Sequence, residues 1–255
     1  MKGVGLRCIG VWLLLIPSVV ALQPAFGGWP GFLPGMAGIT LGVLVGYLTA
    51  RFRLSLLLTV LATLVTYLLF GGAFALPRTT IAGFVPTLDT VRRLVLLSVQ
   101  SWRDLLTVAT PADDFTGPAV VPWLLGLLGG VVAATLAART RAVFWPLLPS
   151  LVLLIVSITM GVRTAPTATW LGAALGAGML VWVWVHQTMT QRADNADILV
   201  NNQAESSQTL RRAMAAAALL GVGVSATVMA TGITGSNTHR DVLRDHIAPP
   251  LNLRN

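Results

Sequence analysis

The chain has 255 residues, of which 55% are apolar and only 10% are charged. Because soluble domains carry about 25% charged residues, this composition excludes an ordinary soluble domain and indicates a membrane protein. The net charge of +8 comes from basic residues that lie mainly at the ends of apolar segments, where membrane topology accounts for them. No nucleic-acid partner is therefore expected. A single cysteine, Cys8, excludes an intramolecular disulfide and a cysteine-based metal site.

Seven segments are long and apolar enough to cross a bilayer, which takes about 20 residues of helix. No ionisable residue lies in the central part of any of them. In chain order the segments are approximately 8–26, 31–50, 54–75, 119–138, 142–160, 167–185 and 213–233. The fold predicted is an all-α polytopic membrane protein, with a bundle of about seven transmembrane helices over residues 1–234 and a tail over residues 235–255.

The first apolar segment has two interpretations. Lys2 and Arg7 precede a short apolar core, and the sequence Ser18-Val19-Val20-Ala21 resembles a signal-peptidase cleavage site. The apolar run nevertheless continues to Phe26 and another span follows at once, which favours a retained helix. Cleavage would leave a bundle of six helices.

Basic residues in the short loops predict the orientation, because such residues are concentrated on the cytoplasmic side of membrane proteins. We therefore expect a multi-pass plasma-membrane protein with a cytoplasmic amino terminus and an extracytoplasmic carboxyl-terminal tail. The ends predicted to be cytoplasmic carry Lys2 and Arg7, Arg51 and Arg53, and Arg139 and Arg141.

Tryptophans near the ends of the predicted spans are typical of the aromatic belts at the two membrane interfaces. The outer set comprises Trp29, Trp102, Trp123 and Trp170. The inner set comprises Trp145, Trp182 and Trp184.

The loop between the third and fourth spans contains LDTVRRLVLLSVQSWRDLLTV, in which apolar and polar residues segregate at helical spacing. The pattern predicts an extracytoplasmic amphipathic helix over residues 88–107 that lies in the membrane interface. Trp102 is expected at headgroup depth, with Arg103 and Asp104 on the polar side. The polar face is interpreted first as a solvated surface and alternatively as a docking surface for an extracytoplasmic domain.

Small residues recur at every fourth position on four of the predicted spans. Such stripes allow helix backbones to approach closely, which is how helices associate where lipid removes the hydrophobic driving force. They predict a compact bundle, formed by intramolecular contact or by dimerisation through self or partner helices. The candidate packing residues are Gly38, Gly42, Gly46, Gly126, Gly130, Gly172, Gly176, Gly221 and Ser225.

No pattern in the sequence predicts catalysis. His239 and His246, with Asp241 and Asp245 between them, are a weak candidate for zinc and are better interpreted as solvated polar residues. Cys8 is predicted at the other side of the membrane from both histidines, so a Cys–His pair is excluded. We predict no catalytic, cofactor-binding or metal-binding residue, and the chain by itself is not expected to be an enzyme.

Several stretches together resemble the N-terminal membrane region of actinobacterial transglutaminase-like membrane proteins (TgpA type). The resemblance implies a cell-envelope protein in which the multi-span region precedes an extracytoplasmic transglutaminase-like domain. That domain carries the family's catalytic Cys, His and Asp and would begin after Asn255, so none is assigned here. The stretches are SWRDLLTVATP, VVPWLLGLLGGVVAATLAARTR, FWPLLPSLVLLIVSITMG and RDVLRDHIAPPLNLRN.

Three functions remain open from the sequence. The first is a membrane anchor and scaffold that presents an extracytoplasmic cysteine-dependent domain. The second is a transporter or lipid-handling protein for a neutral substrate, which a polar cavity lined by Thr, Ser and Tyr would favour. The third is a subunit of a larger membrane assembly, which glycine faces left open in a monomer would favour.

Overall fold

A computed structural model of the chain describes residues 2–26, 29–81, 85–107, 119–140, 142–159 and 168–195. Within these residues the secondary structure is helical apart from one isolated β-bridge between Ile81 and Val85. The all-α prediction is therefore confirmed. Apart from short 3₁₀ segments, the helices are α1 (Lys2–Val20), α2 (Trp29–Arg51), α3 (Leu56–Ala75), α4 (Leu88–Thr107), α5 (Val120–Arg139), α6 (Leu148–Thr159) and α7 (Ala168–Asn195).

The described helices belong to two compact units, with α1 to α6 in the first and α7 in the second. Three of them are long and apolar enough to cross a membrane, namely Gly31–Arg51, Leu56–Ala75 and Val120–Arg139. Two shorter apolar helices, Val4–Val20 and Trp145–Thr159, accompany them. Large apolar side chains cover the outside of α3, where only 28% of the apolar window is buried. Because water would not tolerate such a surface, the protein is embedded in a membrane.

The helices overlap the first six predicted spans, and three of them differ clearly from the predicted bounds. The first span was predicted at 8–26, but α1 runs from Lys2 to Val20, and a 3₁₀ turn, Gln23–Phe26, follows it. The fifth predicted span begins at residue 142, but α6 begins at Leu148 because a 3₁₀ turn, Trp145–Leu147, with Pro146 inside it precedes the helix. The sixth was predicted to end at residue 185, but α7 continues to Asn195. The seventh predicted span, 213–233, and the tail 235–255 lie outside the described residues.

Local sequence explains how α2 ends and α3 begins. The amide of Leu54 donates to the carbonyl of Thr49, and the amide of Arg53 donates to the carbonyl of Ala50. Together these bonds form a Schellman motif, in which Arg53 adopts the left-handed conformation with φ of 52°. Ser55 then caps α3, because its side-chain oxygen accepts from the amide of Leu58 at 3.3 Å.

The backbones of α2 and α5 touch along one side of the bundle. A Cβ atom built on Gly38 would lie 2.7 Å from the carbonyl oxygen of Trp123, and one built on Gly130 would lie 2.8 Å from the carbonyl oxygen of Ile39. No side chain larger than hydrogen fits at these positions without moving a backbone. The small residues are therefore what allows the two helices to approach this closely.

The contacts along this pair show that α2 and α5 run parallel. Gly38 faces Gly126, Gly42 faces Gly130, and Gly46 faces Ala134. In contrast, α3 runs antiparallel to α5, since Arg139 at the end of α5 donates to the carbonyl of Leu54 just before α3. The chain therefore crosses the bundle once between α2 and α5, through α3. Helix α4 adds no crossing and stays at one end of the bundle.

Helix α1 packs into the same unit through its last turns. The hydroxyl of Ser18 donates to the carbonyl of Ser150 at 3.0 Å, and the hydroxyl of Ser157 donates to the carbonyl of Ser18 at 2.8 Å. Ser18 is buried, and Val19 fills the space beside Gly35 on α2. Cleavage after Ala21 would remove these contacts from the unit.

Replacing Gly42 and Gly46 with leucine is expected to destabilise the bundle. The leucine side chains would meet the backbone of α5, and such overpacking should lower the free energy of unfolding by about 3 kcal/mol. The measurement is unfolding by SDS titration in mixed micelles, followed by circular dichroism. The matched control is Gly5→Leu, because a Cβ at Gly5 meets no described atom within 4 Å. Equal unfolding free energies in the two variants would contradict the packing role.

Candidate functional site at helix α4

The start of α4 is held by hydrogen bonds among three threonines. Thr87 and Thr90 form a reciprocal cap, in which the amide of Thr90 donates to Thr87 Oγ1 at 3.1 Å and the amide of Thr87 donates to Thr90 Oγ1 at 3.2 Å. The hydroxyl of Thr90 also donates to the carbonyl of Thr79 at 2.6 Å. This arrangement is a capping box in which threonine replaces the usual Glu or Gln. It fixes the direction in which α4 leaves the preceding loop.

One face of α4 is buried against α3 and α5. It carries Thr90, Leu94 and Ser101, all fully buried. The phenolic hydroxyl of Tyr67 on α3 donates to the carbonyl oxygen of Leu94 at 3.1 Å. The Leu94 side chain lies over Gly71, where a Cβ would meet its methyl carbon at 3.0 Å. The helix is thus joined to α3 by a buried polar contact as well as by packing.

A second face of α4 is polar and exposed. Asp89 and Arg93 form an ion pair on it, with Arg93 Nε 2.7 Å from Asp89 Oδ2. Gln100, seven residues after Arg93, is exposed on the same face. Arg92 is also exposed, four residues after Leu88, and has no acidic partner among the described residues. A surface pair at this spacing stabilises a helix by only about 0.3–0.5 kcal/mol. These charges therefore contribute little to folding and are free to meet water or a partner.

The third face of α4 is apolar yet exposed. It includes Leu88 at 90% exposure, Val95 at 55% and Val99 at 76%. The sequence pattern predicted this face, and its exposure next to membrane-spanning helices is what an interfacial helix requires. Trp102, Arg103 and Asp104 lie in the last two turns of α4. Their side chains are outside the described part of the structure.

Sequence reasoning missed the buried face of α4, because two of its three fully buried residues are hydroxyl-bearing. Thr90 and Ser101 read as polar positions in an amphipathic pattern. Their spacing from Leu94, four and seven residues, was the available signal, since these positions share one helix face. Helix α4 therefore has three faces instead of two, because one packs on protein, one is apolar and suited to lipid, and one is polar and suited to water.

The predicted packing residues separate into two groups. Gly38, Gly42, Gly46, Gly126 and Gly130 all lie in the α2–α5 contact. On α7, in contrast, a Cβ built on Gly172 or Gly176 meets no described atom within 4 Å. Gly221 and Ser225 are outside the described residues.

The tryptophans also divide, and two of the belt assignments were wrong. Trp29, Trp145, Trp170 and Trp184 are exposed, as an aromatic belt requires. Trp123 is completely buried, with its ring stacked on that of Phe74 at a centroid distance of 5.6 Å. It is a core residue beneath α4, because Gly71 on α3 leaves room for the indole. Trp182 is buried as well, within the second unit.

Hydroxyl groups buried on α3 do not form a shared polar site in the described residues. Thr59 donates to the carbonyl of Ser55 at 3.0 Å and Thr63 donates to the carbonyl of Thr59 at 2.8 Å, both within the same helix. Such bonds satisfy the hydroxyl donors locally and leave a packed seam. The transporter hypothesis gains no support from them. The described residues also contain no group of three or more His, Cys, Asp or Glu side chains that could hold a metal ion.

Comparison with known proteins identifies no relative. No family model, curated protein or solved structure matches the chain. The similarity to transglutaminase-like membrane proteins therefore stays a prediction from the sequence stretches alone.

Replacing Tyr67 with phenylalanine should loosen α4 without disturbing the spans. Losing one buried interhelical hydrogen bond in a membrane protein costs about 0.6–1 kcal/mol, so exchange protection of α4 amides should fall roughly three- to fivefold. The measurement is hydrogen exchange with mass spectrometry. The control is Tyr47→Phe, since the Tyr47 hydroxyl makes no hydrogen bond with the described residues. An equal change in both variants would argue against the Tyr67–Leu94 contact.

Proposed function

We propose that the chain is a membrane anchor and scaffold that presents an extracytoplasmic, cysteine-dependent transglutaminase-like domain. The observation that carries the proposal is the docking of α4, whose buried face is joined to α3 through the Tyr67–Leu94 hydrogen bond. A helix held in this way presents its charged face at a constant position beside the membrane. That is what a platform for a neighbouring domain requires.

The proposal includes an orientation for the bundle. The end opposite α4 carries Arg51 and Arg53 in the short turn between α2 and α3, and Arg139 at the end of α5. Basic residues in short loops favour the cytoplasmic side. Helix α4 then lies at the extracytoplasmic face, which is the side on which a transglutaminase-like domain would have to act.

A second candidate function is a subunit of a larger membrane assembly. It is favoured by the open glycine positions of α7, where Gly172 is exposed and a Cβ on Gly176 meets no described atom within 4 Å. Glycines on a membrane helix lower its stability relative to alanine and are useful where another backbone approaches. A partner helix would supply that backbone.

Site-specific photocrosslinking tests the scaffold role. A photoreactive residue at Gln100, an exposed position on the same face of α4 as Asp89 and Arg93, should crosslink to a transglutaminase-like domain identified by mass spectrometry, in the same polypeptide or in a partner. The same residue at Val60 on α3, an exposed apolar position, is the matched control and should label lipid only. Protein crosslinks of equal yield from both positions, or from neither, would refute the platform.

Labelling of substituted cysteines tests the orientation. In a Cys8→Ala background, Arg92→Cys should react with a membrane-impermeant maleimide on intact cells, whereas Arg53→Cys should react only after permeabilisation. Both positions are exposed, so accessibility differs only by the side of the membrane. The reverse pattern would invert the proposed topology.

A further inference from the structure

Four arginines lie at the end of the first unit that is opposite α4. We call Arg7, Arg51, Arg53 and Arg139 the arginine rim. Arg51 and Arg139 are in the last turns of the parallel helices α2 and α5. Helix α1 is antiparallel to α2, since Trp12 Nε1 donates to Thr40 Oγ1 while Val19 contacts Gly35. Arg7, near the start of α1, therefore belongs to the same end.

The arginine rim has no acidic counterpart among the described residues. The acidic residues described in the first unit are Asp89 and Asp104, and both lie on α4 at the other end of the bundle. The ion pair found in the described structure joins Asp89 to Arg93, also on α4. The rim thus has an excess of positive charge that no residue described in the same unit neutralises.

Arg139 is held in place and brings its charge next to the turn between α2 and α3. Its Nη2 donates to the carbonyl of Leu54 at 2.6 Å and lies 3.5 Å from Thr59 Oγ1. Both contacts, to Leu54 and to Thr59, are made by Nη2, and the other N–H groups of the Arg139 guanidinium have no acceptor among the described residues. Because Leu54 follows Arg53 directly, the contact brings the Arg139 guanidinium to the turn that carries Arg51 and Arg53.

Arg53 occupies a backbone conformation that favours glycine. Its φ of 52° is the only positive value at a non-glycine residue in the described structure, and the C′ position of a Schellman motif is usually glycine. Conformational preference therefore does not explain an arginine here. Its side chain is exposed and forms no ion pair with the described residues, so it is accessible to a partner outside the chain.

Large apolar side chains surround the rim and set its depth. Phe52 is 67% exposed, Phe144 55% and Trp145 57%, and Leu57 in the first turn of α3 is also exposed. Residues of this kind face the hydrocarbon and the interface of a bilayer. The adjoining guanidinium groups then lie at the depth of the lipid headgroups.

We propose that the arginine rim binds the phosphate groups of anionic phospholipids in the adjoining leaflet. The planar guanidinium donates two parallel hydrogen bonds to a phosphate, which an ammonium cannot do. Anionic headgroups supply the negative charge that the first unit lacks at this end, and their acyl chains pack on the exposed apolar side chains. An acidic protein would match the charge but not the apolar ring around it.

The test measures lipid binding to the delipidated full chain in detergent by native mass spectrometry. Phosphatidylglycerol is titrated against phosphatidylcholine, with inorganic phosphate added as a competitor in a separate series. Each basic side chain near an anionic headgroup strengthens binding about fivefold. Arg51→Gln combined with Arg53→Gly should therefore weaken phosphatidylglycerol binding roughly 25-fold and leave phosphatidylcholine binding unchanged.

The variants separate lipid binding from folding. Arg53→Gly removes an unfavourable φ, so the thermal unfolding temperature in detergent should stay the same or rise. The matched control is Arg92→Gln with Arg93→Gln, a pair of exposed arginines at the other end, which should change phosphatidylglycerol binding by less than about twofold. If the two double variants lose affinity equally, or if wild type shows no preference for phosphatidylglycerol, the proposal is overturned. Displacement of the lipid by inorganic phosphate would also overturn it, because it would indicate a site for free anions.

Discussion

The direct contact between the backbones of α2 and α5 is the constraint on which the rest of the first unit depends. Lipid offers no hydrophobic drive for helix association, so close approach and dispersion must supply it. Gly38, Gly42 and Gly126 bring carbonyl oxygens of one helix against Cα atoms of the other. A single bulkier residue at this contact would move a backbone, and every helix that packs on the pair would have to follow.

The parallel direction of α2 and α5 has consequences at both ends of the bundle. Parallel helices place their negative dipole ends together, which is unfavourable unless positive charge lies nearby. Arg51 and Arg139, in the last turns of these helices, provide this positive charge. Arg139 also donates a hydrogen bond to the carbonyl of Leu54 and so stabilises the turn between α2 and α3. For α5 to run parallel to α2, the chain must first return across the bundle through α3. No further crossing is needed between α3 and α5, so α4 lies outside the spans at the other end of the bundle.

The docking of α4 depends on two adjacent glycines of α3, the first of which also borders Trp123. Gly71 leaves space for both the Leu94 side chain and the indole, and Gly72 leaves space for the methyl groups of Thr80 and Thr90. The buried side of α4 is therefore shaped by glycines on its neighbour rather than by its own hydrophobicity. The charged and apolar faces are left for water and lipid, which is consistent with a helix that serves as a platform at the membrane surface.

The sequence by itself determined the membrane class, the approximate places of the described apolar helices and the bounds of α4. These features depend on apolar length and periodicity, which are local properties. It also identified the small-residue stripes of α2 and α5, although not that the two stripes pack against each other. Which two stripes meet depends on how all the helices of the bundle are arranged, and the sequence of one helix does not contain that information.

Only the tertiary structure decided three further matters. It assigned Trp123 to the core, because burial of an indole near a span end depends on the glycine opposite it. It revealed the third face of α4, where hydroxyls of Thr90 and Ser101 are buried against protein. It also brought Arg139 to Leu54 across 85 residues of chain, a contact that arises from the antiparallel packing of α3 and α5 and has no signature in local sequence.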